Sequence, residues 1–207
     1  MKRYIYVIVL ILLAAQVLKA QENTPLARFY DNLLSSCVEF DMSYSIRMSG
    51  VKLDGKGVLE LQGDSWILAG NGMEIRCDGK TLWTVDPESK EVVIDSLSDD
   101  VTAGIITNPA VMLINMREIF SLREVLPTKE GKSLIYTLYP KVESEVSFVN
   151  MEILKGDSSL KQFTFSLDDG TSAVVNIYSM KSGKKKPAEY FSRSVNYDSS
   201  WIVTDLR

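Results

Sequence analysis

The chain contains no histidine among its 207 residues. Histidine is the commonest general base near neutral pH and the commonest metal ligand, so a serine–histidine triad and a histidine metal site are excluded. A nucleophile elbow, a phosphate-binding glycine loop and a paired-cysteine zinc motif are missing too. Carboxylates are numerous, but Asp54, Asp78, Asp86 and Asp169 each stand next to glycine or proline, as turn residues do. We expect no enzymatic activity and no bound metal.

A surplus of positive charge is also lacking. The chain has 23 basic and 27 acidic residues, for a net charge of −4. This balance argues against nucleic acid as a partner and against general attraction to anionic membrane surfaces.

The N-terminal segment differs from the rest of the chain. A short basic head precedes an apolar run over Tyr4–Ala15, and residues 18–20 offer a cleavage site. This pattern predicts a signal peptide at residues 1–20, because the run is short for a permanent anchor, which is the alternative. No cysteine follows for lipid attachment, so residues 21–207 are expected to be an exported, non-lipidated single domain.

Cysteine is scarce, with only Cys37 and Cys77. An exported compartment permits a disulfide between them, but spacing does not determine pairing. A disulfide and two buried free thiols are therefore equally open alternatives.

The hydropathy pattern changes from helical to alternating early in the chain. Thr24-Pro25 is typical of a helix start, and the alternation over Phe40–Met48 predicts a strand with one wet face. Asp54-Gly55 is predicted to form the next hairpin turn, and Asn108-Pro109 to open a second helix. Further strands are predicted at residues 57–62, 66–69, 73–77, 81–85, 91–95, 133–139, 147–154, 162–167, 172–178 and 201–203.

This order predicts an antiparallel meander with one helix before it and one inserted in it. Such a sheet is half-buried and strongly curved if it closes toward a barrel, and the helices can cover its open side. Large, adaptable apolar side chains favour binding of an apolar ligand such as an acyl chain, although such residues more often simply fill a core. They are Met42, Met48, Met73, Met112, Met116, Trp66 and Trp83, with both tryptophans expected on the same half.

One stretch resembles a known family. Residues 78–83 read Asp78, Gly79, Lys80, Thr81, Leu82, Trp83, and they precede Asp86-Pro87 and Glu91-Val92. This is similar to the most characteristic stretch of the LolA family of periplasmic outer-membrane lipoprotein carriers. Segments that resemble the family in the same order are Gly55–Leu61, Asn108–Ile114, Leu160–Thr164 and Trp201–Arg207.

The resemblance implies a mainly β fold with some α: an incomplete, highly curved antiparallel β-barrel, or half-barrel, covered by a helical lid. It implies a chaperone that binds the acyl chains of lipoproteins in an apolar cavity. It also implies an inner-membrane ABC-type release complex and an outer-membrane acceptor as partners, no cofactor, and a monomer. In one respect this chain departs from the family, because Gly63 stands where a basic residue holds the family's lid closed.

Strand alternation provides the candidate cavity wall, with the reservation that a slip of one residue inverts a strand's faces. The alternatives to a lipoprotein carrier are a lipid- or glycolipid-binding protein and an envelope lipoprotein sensor of the same fold. The predicted acyl-cavity residues are Met42, Tyr44, Ile46, Met48, Leu59, Leu61, Trp66, Leu68, Met73, Ile75, Met112, Leu113 and Met116.

Overall fold

The computed structural model describes residues 24–97, 109–192 and 197–207. The predicted signal peptide and the cap at Asn108 lie outside these residues. Within them the chain forms two α-helices, one 3-10 turn and twelve strands. The helices are α1 (Pro25–Ser35) and α2 (Pro109–Ile119), and the 3-10 turn covers Ala188–Tyr190.

Helix α1 begins where the sequence predicts. The Thr24 hydroxyl accepts a hydrogen bond from the Ala27 amide at 3.1 Å, and proline occupies the first turn. One face of the helix is apolar and buried, whereas the opposite side carries exposed residues such as Asp31. The buried face consists of Leu26, Phe29, Tyr30 and Leu33.

All twelve strands belong to one open, curled sheet. Its order is β12-β6-β5-β4-β3-β2-β1-β11-β10-β9-β8-β7, and every neighbouring pair is antiparallel except β12 with β6. The predicted half-barrel with a helical cover is thereby confirmed. The strands are β1 Cys37–Met48, β2 Val51–Gln62, β3 Ser65–Gly70, β4 Met73–Cys77, β5 Thr81–Asp86, β6 Glu91–Ser96, β7 Phe120–Pro127, β8 Ser133–Pro140, β9 Val146–Leu154, β10 Leu160–Leu167, β11 Ser172–Gly183 and β12 Ile202–Asp205.

The first hairpin turn is not at Asp54-Gly55, so that prediction is wrong. The turn lies at Ser49 and Gly50, whose φ angles are 47° and 83°. Positive φ at both central residues is the geometry of a two-residue type I′ hairpin. Asp54 and Gly55 lie inside β2, which begins at Val51.

Glycine serves a different purpose at position 55. Gly55 pairs with Tyr44 of β1, and a Cβ at Gly55 would overlap the Tyr44 ring. The ring therefore lies across the bare backbone, as aromatic side chains do over strand glycines. The Tyr44 hydroxyl accepts a 2.9 Å hydrogen bond from the Asn71 side chain in the β3–β4 turn.

Gly57 and Gly70 bring β2 and β3 close together at the same level. A Cβ at Gly57 would lie 2.7 Å from the Ala69 carbonyl oxygen, and one at Gly70 would overlap the Lys56 carbonyl oxygen. Glycine kinks of this kind let a sheet coil. We infer that these two residues permit the curl of the sheet at β2 and β3.

Gly57→Ala is therefore expected to lower the free energy of unfolding by about 1–3 kcal/mol, since backbone rather than a flexible side chain opposes the added methyl group. The matched control is Gly156→Ala, where no heavy atom lies within 4 Å. That control should change stability by less than about 1 kcal/mol. Urea unfolding of the two variants checks this, and equal stabilities would contradict the role assigned to Gly57.

The two faces of the sheet differ. We call the face that packs against α1 the inner face and the other the outer face. The inner face carries one continuous apolar core that runs from β4 through β1 to β8 and includes the buried side of α1. The outer face has two smaller clusters, one around Trp83 and Val85 and one around Ile67 and Phe191.

A strap formed by residues 184–192 covers part of the outer face. The Gln62 side chain donates to the Lys186 carbonyl at 3.0 Å and accepts from its amide at 2.7 Å. Tyr190 donates its hydroxyl to Glu60 at 2.9 Å, and Arg76 donates to the Tyr190 carbonyl at 2.9 Å. These contacts hold Phe191, which is fully buried, against the sheet.

Strand β7 was not predicted, and the apolar helical spacing that begins after Pro109 extends as far as Phe120. Phe120 begins β7 rather than continuing α2. The pairing of β7 with β8 shifts register between Leu122 and Glu124, so Arg123 is an extra residue. This bulge breaks the alternation by which strands are detected.

Cys37 and Cys77 are both buried and free. Cys77 packs in the inner-face core, whereas Cys37 packs with Ile67 and Phe191 on the outer face. Burial raises the pKa of both thiols. The structure therefore favours the free-thiol alternative, because the sheet separates the two side chains.

Alkylation without reductant tests this arrangement. Iodoacetamide should leave both thiols unmodified in the native protein and add two groups to the denatured chain, since thiolate formation and access are both suppressed by burial. Mass spectrometry counts the groups. A disulfide would instead give two groups only after reduction.

Candidate functional site

The structure places most of the predicted acyl-cavity residues on the inner face. Half-buried side chains surround a fully buried centre and pack against it; they are Tyr44, Ile46, Leu68 and Ile75. Two further residues, Met48 and Met73, are 48% and 42% exposed. The side chain of Met112 lies outside the description. The fully buried members are Met42, Leu59, Leu61, Trp66, Leu113 and Met116.

The apolar inner face extends past the part that the helices cover. Antiparallel partners share a face, and Ile46 pairs with Leu53 while Met48 pairs with Val51. Leu53 is 51% exposed and Val51 is 56% exposed. These two residues were missed because the predicted turn at Asp54-Gly55 placed them outside a strand.

A crevice of about 180 Å³ opens between the two helices and the β2–β3 turn. Its walls are apolar inside, and charged side chains stand at its rim. This volume is below the roughly 300–1,000 Å³ of pockets that hold drug-sized ligands, so a larger guest requires the helices to move. The lining residues are Tyr30, Leu33, Leu34, Leu61, Gly63, Asp64, Leu113, Asn115, Arg117 and Glu118.

Arg117 connects the two helices across this crevice. Its guanidinium carbon lies 4.5 Å from the centroid of the Tyr30 ring, and its Nη2 lies 3.9 Å from Asp31 Oδ1. The side chains of Arg117 and Asp31 are 48% and 67% exposed, so the ion pair is weak. Lys141 donates a 2.8 Å hydrogen bond to the Arg117 carbonyl.

Arg117 thus faces the turn in which Gly63 stands in place of the family's basic residue. The sequence signal for it was a cation in the last turn of a mostly apolar helix. Burial raises the pKa of the Tyr30 hydroxyl, and Arg117 lowers it less. Tyr30 therefore stays neutral and directs its hydroxyl to Met151 Sδ at 4.0 Å.

The motif at residues 78–83 makes a turn and then re-enters the sheet. Asp78 Oδ1 accepts hydrogen bonds from the amides of Lys80 at 3.0 Å and Thr81 at 2.8 Å, and Gly79 has a φ of 92°. Leu82 packs toward the inner core and Trp83 toward the outer cluster. Trp66 and Trp83 lie on β3 and β5, in the same half of the sheet. They point to opposite faces, because Trp66 shares a face with Cys77 and Leu82, and adjacent strand residues alternate between faces.

Within the described ranges, no group of three acidic, cysteine or histidine side chains is placed to hold a metal ion. None of the helices described has the length and hydropathy needed to cross a membrane.

An open, curled sheet whose apolar inner face is covered by helices defines the class of lidded half-barrels. A family model described as outer membrane lipoprotein carrier protein LolA matches residues 71–194, more than half of the chain. The chain belongs to the LolA family. None of the curated proteins matches it significantly in sequence.

The chain is also similar to several solved structures. An uncharacterised conserved protein from Thermus thermophilus is 14% identical, with a TM-score of 0.54 over 90% of this chain and 99% of its own. A putative outer membrane lipoprotein-sorting protein domain from Vibrio parahaemolyticus is 13% identical, with a TM-score of 0.48 over 83% and 94%. A LolA superfamily protein from Nitrosomonas europaea is 13% identical, with a TM-score of 0.43 over 82% and 98%.

Arg117→Met is expected to loosen α2. An exposed cation–π contact contributes about 0.5–1 kcal/mol, so amide hydrogen exchange in α2 should accelerate about two- to fivefold. Arg123→Met, an exposed arginine on the edge strand β7, is the matched control and should leave α2 unchanged. Equal exchange in the two variants would show that Arg117 does not hold the helices together.

Proposed function

We propose that this protein binds the acyl chains of lipoproteins on its inner face, beneath α1 and α2, and carries them through the periplasm from the inner to the outer membrane. The observation that carries the proposal is the apolar inner surface that continues past the helices to Leu53 and Met73, which are 51% and 42% exposed. Exposed apolar surface contiguous with a core is typical of a binding site. Membership of the LolA family supports the same conclusion.

The energetics of transport also favour this function. Each methylene that leaves water gains about 0.8 kcal/mol, so a free acylated protein does not cross an aqueous gap unaided. An inner face that shields those methylenes lowers the barrier without covalent chemistry or a cofactor.

Acyl entry requires the helices to separate from the sheet. The crevice measures about 180 Å³, and α1 fills the inner face with four buried side chains. The ion pair of Arg117 with Asp31 is exposed and weak, and a contact such as that of Arg117 with the Tyr30 ring contributes about 0.5–1 kcal/mol, so the two oppose opening only slightly. We infer that Arg117, supplied by the lid itself, takes the place of the missing basic residue at Gly63.

The partners follow from this proposal. An inner-membrane ABC-type complex would load the carrier and an outer-membrane acceptor would unload it, with the carrier acting as an exported, non-lipidated monomer.

The test is mass spectrometry of the material that co-purifies with the exported, C-terminally tagged protein from its own host. Leu68→Lys places a charge on the half-buried inner face and should reduce acylated lipoprotein peptides at least about tenfold, because an unpaired charge is costly beside acyl chains. The matched control, Ala69→Lys, places the same charge on the exposed outer face of the same strand. It should keep the wild-type yield.

Thermal unfolding of both variants separates loss of binding from loss of fold. Free lipid without lipoprotein would redirect the function to lipid transport. A protein partner without acyl chains would favour a sensor. Equal yields of lipoprotein from both variants would place the acyl site away from the inner face.

A further inference from the structure

The hairpin formed by residues 46–53 has two chemically different faces. On the inner face, Met48 pairs with Val51 and Ile46 pairs with Leu53. Met48, Val51 and Leu53 are 48%, 56% and 51% exposed. Four apolar side chains in two facing pairs therefore continue to the end of the hairpin, where the burial of a protein core no longer explains them.

The outer face of the same hairpin is cationic. Arg47 pairs directly with Lys52, and both are exposed. Like charges directly opposite one another destabilise a strand pair. Asp54 relieves this in part, because Lys52 Nζ lies 2.8 Å from its carboxylate and hydrogen bonds from Lys52 and Ser45 lower the pKa of that carboxyl.

Residues 47–56 carry three cations, Arg47, Lys52 and Lys56, and one anion, Asp54, which gives +2 in a chain of net charge −4. Lysine on an exposed strand also prevents pairing with other chains. That role accounts for Lys52 and Lys56, because β2 pairs with β3 only from Val58 onward and residues 51–57 therefore form an edge of the sheet. It does not account for the apolar side chains opposite them.

We propose that this hairpin is a membrane-docking tip that inserts into the headgroup layer of an anionic lipid bilayer. The order of its side chains matches the layers of a membrane. Met48 and Val51 stand at the end, and Arg47 and Lys52 follow one residue pair behind them. Apolar residues at the tip reach the acyl boundary while long cationic side chains extend to the phosphates.

The overall negative charge disfavours general adhesion to such a surface, so the protein would dock through this tip alone. Docking there brings Ile46 and Tyr44, which continue the inner face, next to the lipid. The inference extends the proposed function by naming where the carrier meets a membrane. The test of membrane docking requires no cargo, so this inference and the proposed function can fail separately.

The experiment uses the exported protein after removal of its N-terminal segment, checked by intact mass. Sedimentation is measured with phosphatidylcholine vesicles with and without phosphatidylglycerol. Arg47→Gln should weaken binding to the anionic vesicles about fivefold, and Val51→Thr combined with Leu53→Thr should weaken it about tenfold. Binding to phosphatidylcholine alone should be much weaker, and added salt should reduce the anionic binding.

The matched controls lie elsewhere on the surface. Lys185→Gln removes an equally exposed cation, and Leu122→Thr combined with Val125→Thr removes apolar side chains that are 48% and 42% exposed on β7. Both should bind as the unmodified protein does. Equal losses in the controls and the hairpin variants would overturn the proposal.

A second measurement does not depend on the stability of the variants. An environment-sensitive fluorophore is attached through Ser49→Cys at the turn or, as control, through Lys132→Cys, which is also exposed. Anionic vesicles should shift the emission to the blue only at the turn. No shift would overturn the proposal, as would hairpin variants that lose delivery only to membranes containing a protein acceptor. If the unmodified protein binds anionic vesicles but carries no acylated lipoprotein, only the carrier function is refuted.

Discussion

The curl of the sheet depends on the close approach of β2 and β3 at Gly57 and Gly70. A Cβ at Gly57 would lie 2.7 Å from the Ala69 carbonyl oxygen, so the strands meet there only because both side chains are absent. All twelve strands belong to one sheet, so there is no second sheet for its apolar face to pack on. The curl instead turns that face inward. The apolar residues of that inside then need a cover, which α1 provides with Phe29 and its buried neighbours.

Periodicity predicted most of the fold, because strands such as β6 and β11 alternate between buried and more exposed residues. It failed where one residue type suits two different structural roles. Asp54-Gly55 has the composition of a turn, yet Gly55 is glycine because the Tyr44 ring lies over it. A partner eleven residues away in the chain is invisible to a local signal, and the error concealed Val51 and Leu53. The bulge at Arg123 concealed β7 in a similar way.

The candidate site shows the same division. Alternation assigns residues such as Met42, Leu59 and Trp66 to one face, and all three are buried there. How far that face is covered could not be read from the chain, since cover depends on where the helices lie. Arg117 is visible in the sequence as a cation in the last turn of α2, but its role is not. That role depends on a contact with Tyr30, 87 positions away in the chain, which exists only after α1 and α2 meet.

On the proposed function, the protein must release the acyl chains that it binds, and the packing of α1 offers a physical reason why it can. An acyl chain that enters the crevice competes with α1, whose four buried side chains already occupy the inner face. The free energy gained by burying methylenes is therefore offset by the apolar contacts that α1 gives up. Closing is favoured by the packing of α1 rather than by the exposed pair of Arg117 with Asp31. The helix that protects the cargo thus also limits the affinity of the protein for it, so an acceptor that binds the acyl chains more tightly can remove them.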